Sequence, residues 1–163
     1  FIKIANQKNI RPETMNRIEH YYEEANDNSV TSTHKRPHLD NVTPYIGGQW
    51  MILTRKCCVF ISTSSEVKKY EDYYANTLIP DESFFQTVLM NSSFDGTLVN
   101  NDKRAIIWVA DGDIKLRPKT YTDADYDFLV IGENLFARKF DDDVDEKIIN
   151  RLQLFFNIQL VNN

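Results

Sequence analysis

A chain of 163 residues with 42% hydrophobic and 26% charged residues has the composition of one globular domain able to bury a core of its own. Its net charge of −5 and pI of about 5.2 exclude a broad nucleic-acid-binding face, because neutralising phosphates takes a basic field. No apolar run approaches the roughly 20 residues needed to cross a bilayer, and the start is not signal-like, so the chain is expected to be soluble, with no transmembrane segment.

In chain order, Pro12 and Glu13 open a segment with Met15, Ile18, Tyr22 and Ala25 at three- and four-residue steps, which predicts one helical stripe with Arg17, Glu19, Glu23 and Glu24 opposite. Residues 26–44 are polar and aperiodic and read as a long loop, either a binding loop or a surface excursion. Gly47 and Gly48, followed by Trp50-Met51-Ile52-Leu53, predict a buried strand across residues 45–53. The glycine pair serves either the backbone conformation or the approach of a ligand. Thr54 suits the cap of a following helix, with Cys58, Ile61 and Val67 facing inward.

The two cysteines, Cys57 and Cys58, are adjacent in an apolar run; they allow neither a disulfide framework nor CxxC metal spacing and read as core. His20, His34 and His38 are scattered through polar sequence, and no zinc site is expected. Asn41-Val42-Thr43 and Asn91-Ser92-Ser93 fit the glycosylation acceptor pattern, which is short enough to arise by chance. The opening Phe1, with no initiator methionine, points to a processed or partial sequence.

Phe84, Phe85, Val88 and Leu89 predict an amphipathic helix, for which Asp81 is a natural N-cap and Glu82 a first-turn acid. Residues 105–109 form the best strand of the second half and run into the turn Ala110-Asp111-Gly112-Asp113. Thr122 and Asp125 match a capping box before a short helix containing Tyr126, Leu129 and Val130. A final helix is expected from near Asp143, burying Val144, Ile148, Leu152, Phe155 and Phe156 and turning Lys147 and Arg151 to solvent. Just before it, Arg138 and Lys139 sit between Phe136 and Phe140. They read either as an anion site or as a surface turn paired with the aspartates that follow.

Five ordered blocks carry a resemblance: Gly47-Gly48-Gln49-Trp50 through Arg55, Pro80-Asp81-Glu82-Ser83-Phe84-Phe85, Trp108, Arg117-Pro118-Lys119-Thr120, and Phe136-Ala137-Arg138-Lys139-Phe140-Asp141. In order and spacing they resemble the core-2/I-branching glycosyltransferases, a family that includes branching N-acetylglucosaminyltransferases and peptide O-xylosyltransferases. The resemblance implies an α/β fold, the C-terminal portion of a GT-A-like glycosyltransferase with a mixed sheet flanked by helices. It also implies that residues 1–163 form a single domain, the acceptor and diphosphate-binding part of a larger catalytic domain whose nucleotide-binding half precedes it.

The resemblance further implies an inverting transferase that moves a sugar, N-acetylglucosamine first and xylose next, from a UDP donor to a hydroxyl of an oligosaccharide or glycoprotein, with no metal or other cofactor. Glu82 falls on the family's catalytic base. Lys119 and Lys139 fall on its pyrophosphate-binding cations, with Arg138 in support; Lys119 stands where the family has arginine, keeping the charge without the bidentate fork. Trp108 matches a tryptophan near the acceptor, its other reading being core packing, and Gly47, Gly48 and Trp50 match the strand that lines the acceptor cleft. Arg17 lies where relatives carry basic acceptor contacts, on a poor alignment. Family members are Golgi-membrane proteins in animals, whereas few cysteines suit a bacterial, cytoplasmic or membrane-peripheral member. The alternative is a non-catalytic carbohydrate-binding or interaction module on the same scaffold.

Overall fold

The computed structural model describes residues 1–10, 12–24, 29–113 and 115–161, arranged as two compact units, Phe1–Asp102 and Lys103–Asn163. The first contains β1 (Ala5–Asn6), α1 (Gln7–Ile10), α2 (Met15–Glu19), β2 (His20–Glu24), β3 (Val30–Lys35), β4 (Tyr45–Ile46), α3 (Arg55–Thr63), α4 (Ser65–Tyr74) and α5 (Phe84–Met90). The second contains β5 (Arg104–Ala105), β6 (Trp108–Asp111), β7 (Lys115–Pro118), α6 (Tyr126–Ile131), β8 (Phe136–Ala137) and α7 (Asp142–Val161).

The α/β character is present, but the expected mixed sheet is not: among the described residues the strands form four two-stranded pairs. β1–β4, β2–β3 and β6–β7 are antiparallel and β5–β8 is parallel. The local reason is visible at β4, which stops after Ile46 because the Gly47 N–H donates to the Glu82 carbonyl at 2.8 Å instead of extending the ladder.

In the first unit α5 lies between two apolar clusters. Val88 joins Met15, Ile18, Val67, Tyr70 and Tyr74, whereas the next residue, Leu89, joins Ile2 and Cys57. Thr54 caps α3 as expected, its side chain accepting the Cys57 N–H at 3.3 Å. That cap sets the helical register so that Cys57 and Ile61 pack inward and Cys58 is exposed, correcting the reading of both cysteines as core.

The predicted stripe from Met15 to Ala25 also needs correction. Met15 and Ile18 are buried, but α2 ends at Glu19 and His20 is extended, so Tyr22 lies in β2; Ala25 lies outside the described residues. Tyr21 and Tyr22 in one run and Val30, Thr31 and Thr33 in the other are side chains that favour a pleated strand, and the two runs pair antiparallel, with β3 exposed. The expected long loop is therefore partly strand, and its residues 26–28 lie outside the described ones.

Arg36, just past β3, fastens that hairpin to the end of α4. It donates to the carbonyls of His20, Tyr73 and Asn76 and lies over the Tyr21 and Tyr73 rings. Carbonyls left open at a helix C-terminus are natural partners for a cation. Burial lowers the Arg36 pKa from its ordinary value.

In the second unit the expected continuous strand breaks at Ile106-Ile107. Arg104 and Ala105 pair with Phe136 and Ala137, whereas Trp108 begins a hairpin with β7 whose turn holds Gly112 at φ 73°. The capping box at Thr122 and Asp125 is present and leads into α6. Asp145 interrupts α7 with φ −158° and ψ 95°, and its carboxylate accepts the N–H groups of Lys147 and Ile148 at 2.8 and 3.3 Å. The long part of the final helix is thus capped at Asp145, beyond the expected start near Asp143.

Of its predicted stripe, Ile148 is fully buried and Leu152 and Phe155 partly so, while Val144 and Phe156 are exposed. Lys147 and Arg151 do not simply face solvent; both bind Asp123. These two cations hold the Asp123 carboxyl below its ordinary range.

Candidate active site

Glu82 ends the 3₁₀ turn Pro80–Glu82, which the chain enters through Ile79 in the left-handed region at φ 53°. Asp81, expected as the N-cap of α5, sits inside this turn, and Ser83 occupies the cap position without a side-chain cap bond. Ser83 instead points into a buried polar network. Its Oγ lies 2.8 Å from the Tyr45 carbonyl, 2.8 Å from the Tyr74 hydroxyl and 3.2 Å from Gln7 Oε1. The network continues through Thr87, whose Oγ1 accepts from Tyr74 OH at 3.0 Å and from the Tyr45 N–H at 3.0 Å. Buried polar atoms that are satisfied in this way fix geometry, because breaking one bond strands its partner away from water.

Gly47 closes the other side of the turn through its bond to the Glu82 carbonyl, and any Cβ there would overlap the Lys3 carbonyl. Close backbone approach is therefore what demands glycine at this position. Gly48 differs: a Cβ there meets nothing within 4 Å, and its carbonyl accepts from Gln86 Nε2 at 3.1 Å. Trp50, two residues on, is an exposed aromatic. The first unit thus holds Glu82, Gly47, Gly48 and Trp50, with the two glycines tied directly to the Glu82 turn and to α5.

The Glu82 carboxylate has a partner that sequence reasoning left aside. Arg17 Nη1 donates to Glu82 Oε2 at 2.8 Å, with both side chains about a third exposed at 28% and 35%. Sixty-five residues separate them, so no local periodicity could have joined them.

The second unit holds Trp108, Lys119, Arg138 and Lys139. Backbone bonds set the lysines side by side: the Lys139 N–H donates to the Lys119 carbonyl at 3.2 Å and the Tyr121 N–H to the Lys139 carbonyl at 2.9 Å. The same ladder extends outward through Lys119 N–H to Ile107 and Arg138 N–H to Ala105. Behind it Tyr121 is fully buried against Phe128 and Phe140. The side chains of both lysines, on these adjacent segments, are partly exposed, at 38% and 53%.

Each lysine also has a carboxylate. Lys119 Nζ donates to Asp125 Oδ1 at 2.5 Å, and Asp125 Oδ2 accepts from the Thr122 N–H at 3.0 Å, so one side chain both caps the turn and holds the cation. The Lys119 bond is the main cause that keeps the Asp125 carboxyl below its ordinary range. Lys139 is 3.6 Å from Asp141. Arg138 is exposed, with no ion pair among the described residues. Trp108 is 56% exposed opposite Pro118, so it is not core. Asp141, Asp142 and Asp143 bring carboxylate oxygens within 4.8 Å of one another at the start of α7, where the helix dipole favours acids.

Chemically, the first unit presents a fixed carboxylate suited to accept a proton, and the second a cation pair suited to a phosphate oxygen. The Core-2/I-Branching enzyme family matches residues 3–138, which takes in Glu82, Trp108, Lys119 and Arg138 and ends one residue before Lys139. Xylosyltransferase 1 of Canis lupus familiaris is 32% identical over 124 residues, 67% of this chain and 13% of that protein. Xylosyltransferase 1 of Homo sapiens shows the same identity over the same shares. Xylosyltransferase of Ciona intestinalis is 27% identical over 160 residues, 90% of this chain and 18% of that protein. The chain thus spans less than a fifth of the length of these relatives. With five-sixths of its residues inside one family match, the chain belongs to the Core-2/I-Branching enzyme family of glycosyltransferases.

Proposed function

We propose that this chain carries the proton-accepting and diphosphate-binding residues of an inverting, metal-independent transferase that moves a sugar from a UDP donor to a hydroxyl group of a glycan or glycoprotein. The observation that carries the reading is the backbone ladder that sets Lys119 beside Lys139 in a chain of this family. As the acceptor oxygen attacks the anomeric carbon, its proton passes to Glu82 and the bond from that carbon to the diphosphate breaks. Negative charge gathers on the leaving phosphate, and the ammonium groups of Lys119 and Lys139 stabilise it where other transferases use a divalent ion. Arg138, exposed beside Lys139, supports the same charge. Trp108 offers an exposed indole face to the apolar side of a sugar ring, and Gly47, Gly48 and Trp50 are assigned to the acceptor by the family resemblance.

The names of the relatives favour xylose as the transferred sugar over N-acetylglucosamine. A second reading, a carbohydrate-binding module without catalysis, is favoured by one feature: Lys119 replaces an arginine and is already engaged by Asp125. The full-length protein assayed with UDP-xylose and UDP-N-acetylglucosamine over peptide and oligosaccharide acceptors separates the two. Transfer that survives a chelator is the expected result. Saccharide binding with no affinity for UDP favours the module, and activity that a chelator abolishes and only manganese restores contradicts the metal-free mechanism.

A further inference from the structure

We infer that Arg17 is a positioning residue for Glu82, holding one carboxylate oxygen so that the other is presented to the acceptor hydroxyl. The inference rests on Glu82 being the base. The backbone of Glu82 is fixed on both sides, by Gly47 at its carbonyl and by buried Ser83 after it, which leaves the side-chain torsions as its remaining freedom. Arg17 removes that freedom. Its Nη1 binds Oε2 at 2.8 Å, while Oε1 has no hydrogen bond or ion pair among the described residues and stays open to a proton donor.

The pairing is built into the fold and is not a chance meeting of surface side chains. Arg17 lies between Met15 and Ile18, both buried, so α2 cannot roll without exposing its core face. Gln7 ties the residue before that helix to the residue after Glu82: its Nε2 donates to the Thr14 carbonyl and Oγ1, both at 2.8 Å, and its Oε1 faces Ser83 Oγ at 3.2 Å. Gln7, Thr14 and Ser83 are all buried, so the platforms under the two charged side chains are cross-linked by polar contacts that water cannot replace. A general base works only within hydrogen-bond reach of its proton, which makes rotamer control part of its catalytic worth.

One N–H on one oxygen is a contact that an ammonium can also make, which sets the test. In the full-length protein, Arg17→Gln is expected to lower kcat about ten- to a hundredfold, a fraction of the range for general-base catalysis. The KM values for donor and acceptor and the melting temperature should stay near wild type. Arg17→Lys is expected to restore most of kcat, and it also keeps the test alive if the glutamine variant folds poorly. In a Glu82→Gln background, Arg17→Gln should add no further loss, because the two side chains act as a unit. An unchanged kcat in Arg17→Gln overturns the inference. So does a loss confined to the acceptor KM, which would make Arg17 an acceptor contact, or an additive loss in the double variant. Full activity in Glu82→Gln alone removes the base itself, a failure distinguishable from that of Arg17.

Discussion

In the first unit, the turn that carries Glu82 rests on buried polar atoms: Ser83, Gln7, Tyr74 and Thr87 bond to one another and to the backbone of Tyr45, and Gly47 fills the last gap. In the second unit, Lys119 and Lys139 are carried by a short backbone ladder near the surface, and among the described residues their charged ends are held only by Asp125 and Asp141. A base must meet one hydroxyl at one distance, so it gains from a rigid seat. A diphosphate presents several oxygens, and two half-exposed ammonium groups on flexible stems can adapt to them.

The lysines carry the largest expected effect. Each hydrogen bond to a charged group contributes about 1.5–3 kcal/mol. Lys119→Met with Lys139→Met is therefore expected to lower kcat/KM of the full-length protein by a hundredfold or more, with only a small fall in melting temperature from the lost Lys119–Asp125 pair. A large loss of stability instead would make the ladder, not the charges, the purpose of these residues.

Next in size is Gly47→Ala. Its Cβ has no room beside the Lys3 carbonyl, and overpacking of this kind costs about 1–3 kcal/mol. Melting temperature and kcat should fall together, because the same glycine holds the Glu82 carbonyl. Asp125→Ala comes third, at about 1 kcal/mol for a lost cap. It should also weaken the acid sensitivity of the second unit. Asp125 and Asp123 have folded pKa values depressed by Lys119 and by Arg151 with Lys147, so their contribution is complete above the ordinary carboxylate range and is lost as pH falls through the depressed values. Stability measured downward from about pH 4 should drop for the wild type and drop less for the variant. The smallest effect belongs to the exposed β2–β3 hairpin, where Thr31→Ala is expected to stay within about 0.5 kcal/mol of wild type in a denaturation midpoint.

What the sequence disclosed follows the range of each interaction. Caps act over three residues, so Thr54, Thr122 and Asp125 were legible, as was the apolar face of Val88 and Leu89. The hairpin after α2 was not, because Met15, Ile18 and Tyr22 keep helical spacing while pairing with residues 30–35 decides for strand. Cys57 and Cys58 could not be told apart without the phase that Thr54 sets. The ordered blocks led to Glu82, Lys119 and Lys139, and Arg17 was named only as a poorly aligned acceptor contact; neither its pairing with Glu82 nor the second role of Asp125 was visible. One partner is 65 residues from Glu82, and the other already had a sufficient local explanation as a cap.

The measurement closest to the centre of this account is the transfer rate of Glu82→Gln in the full-length protein, folded as judged by its melting temperature and with UDP binding intact. Loss of the general base predicts a fall of about 10²–10⁴ in kcat with little change in donor KM. Undiminished transfer by that variant would contradict it.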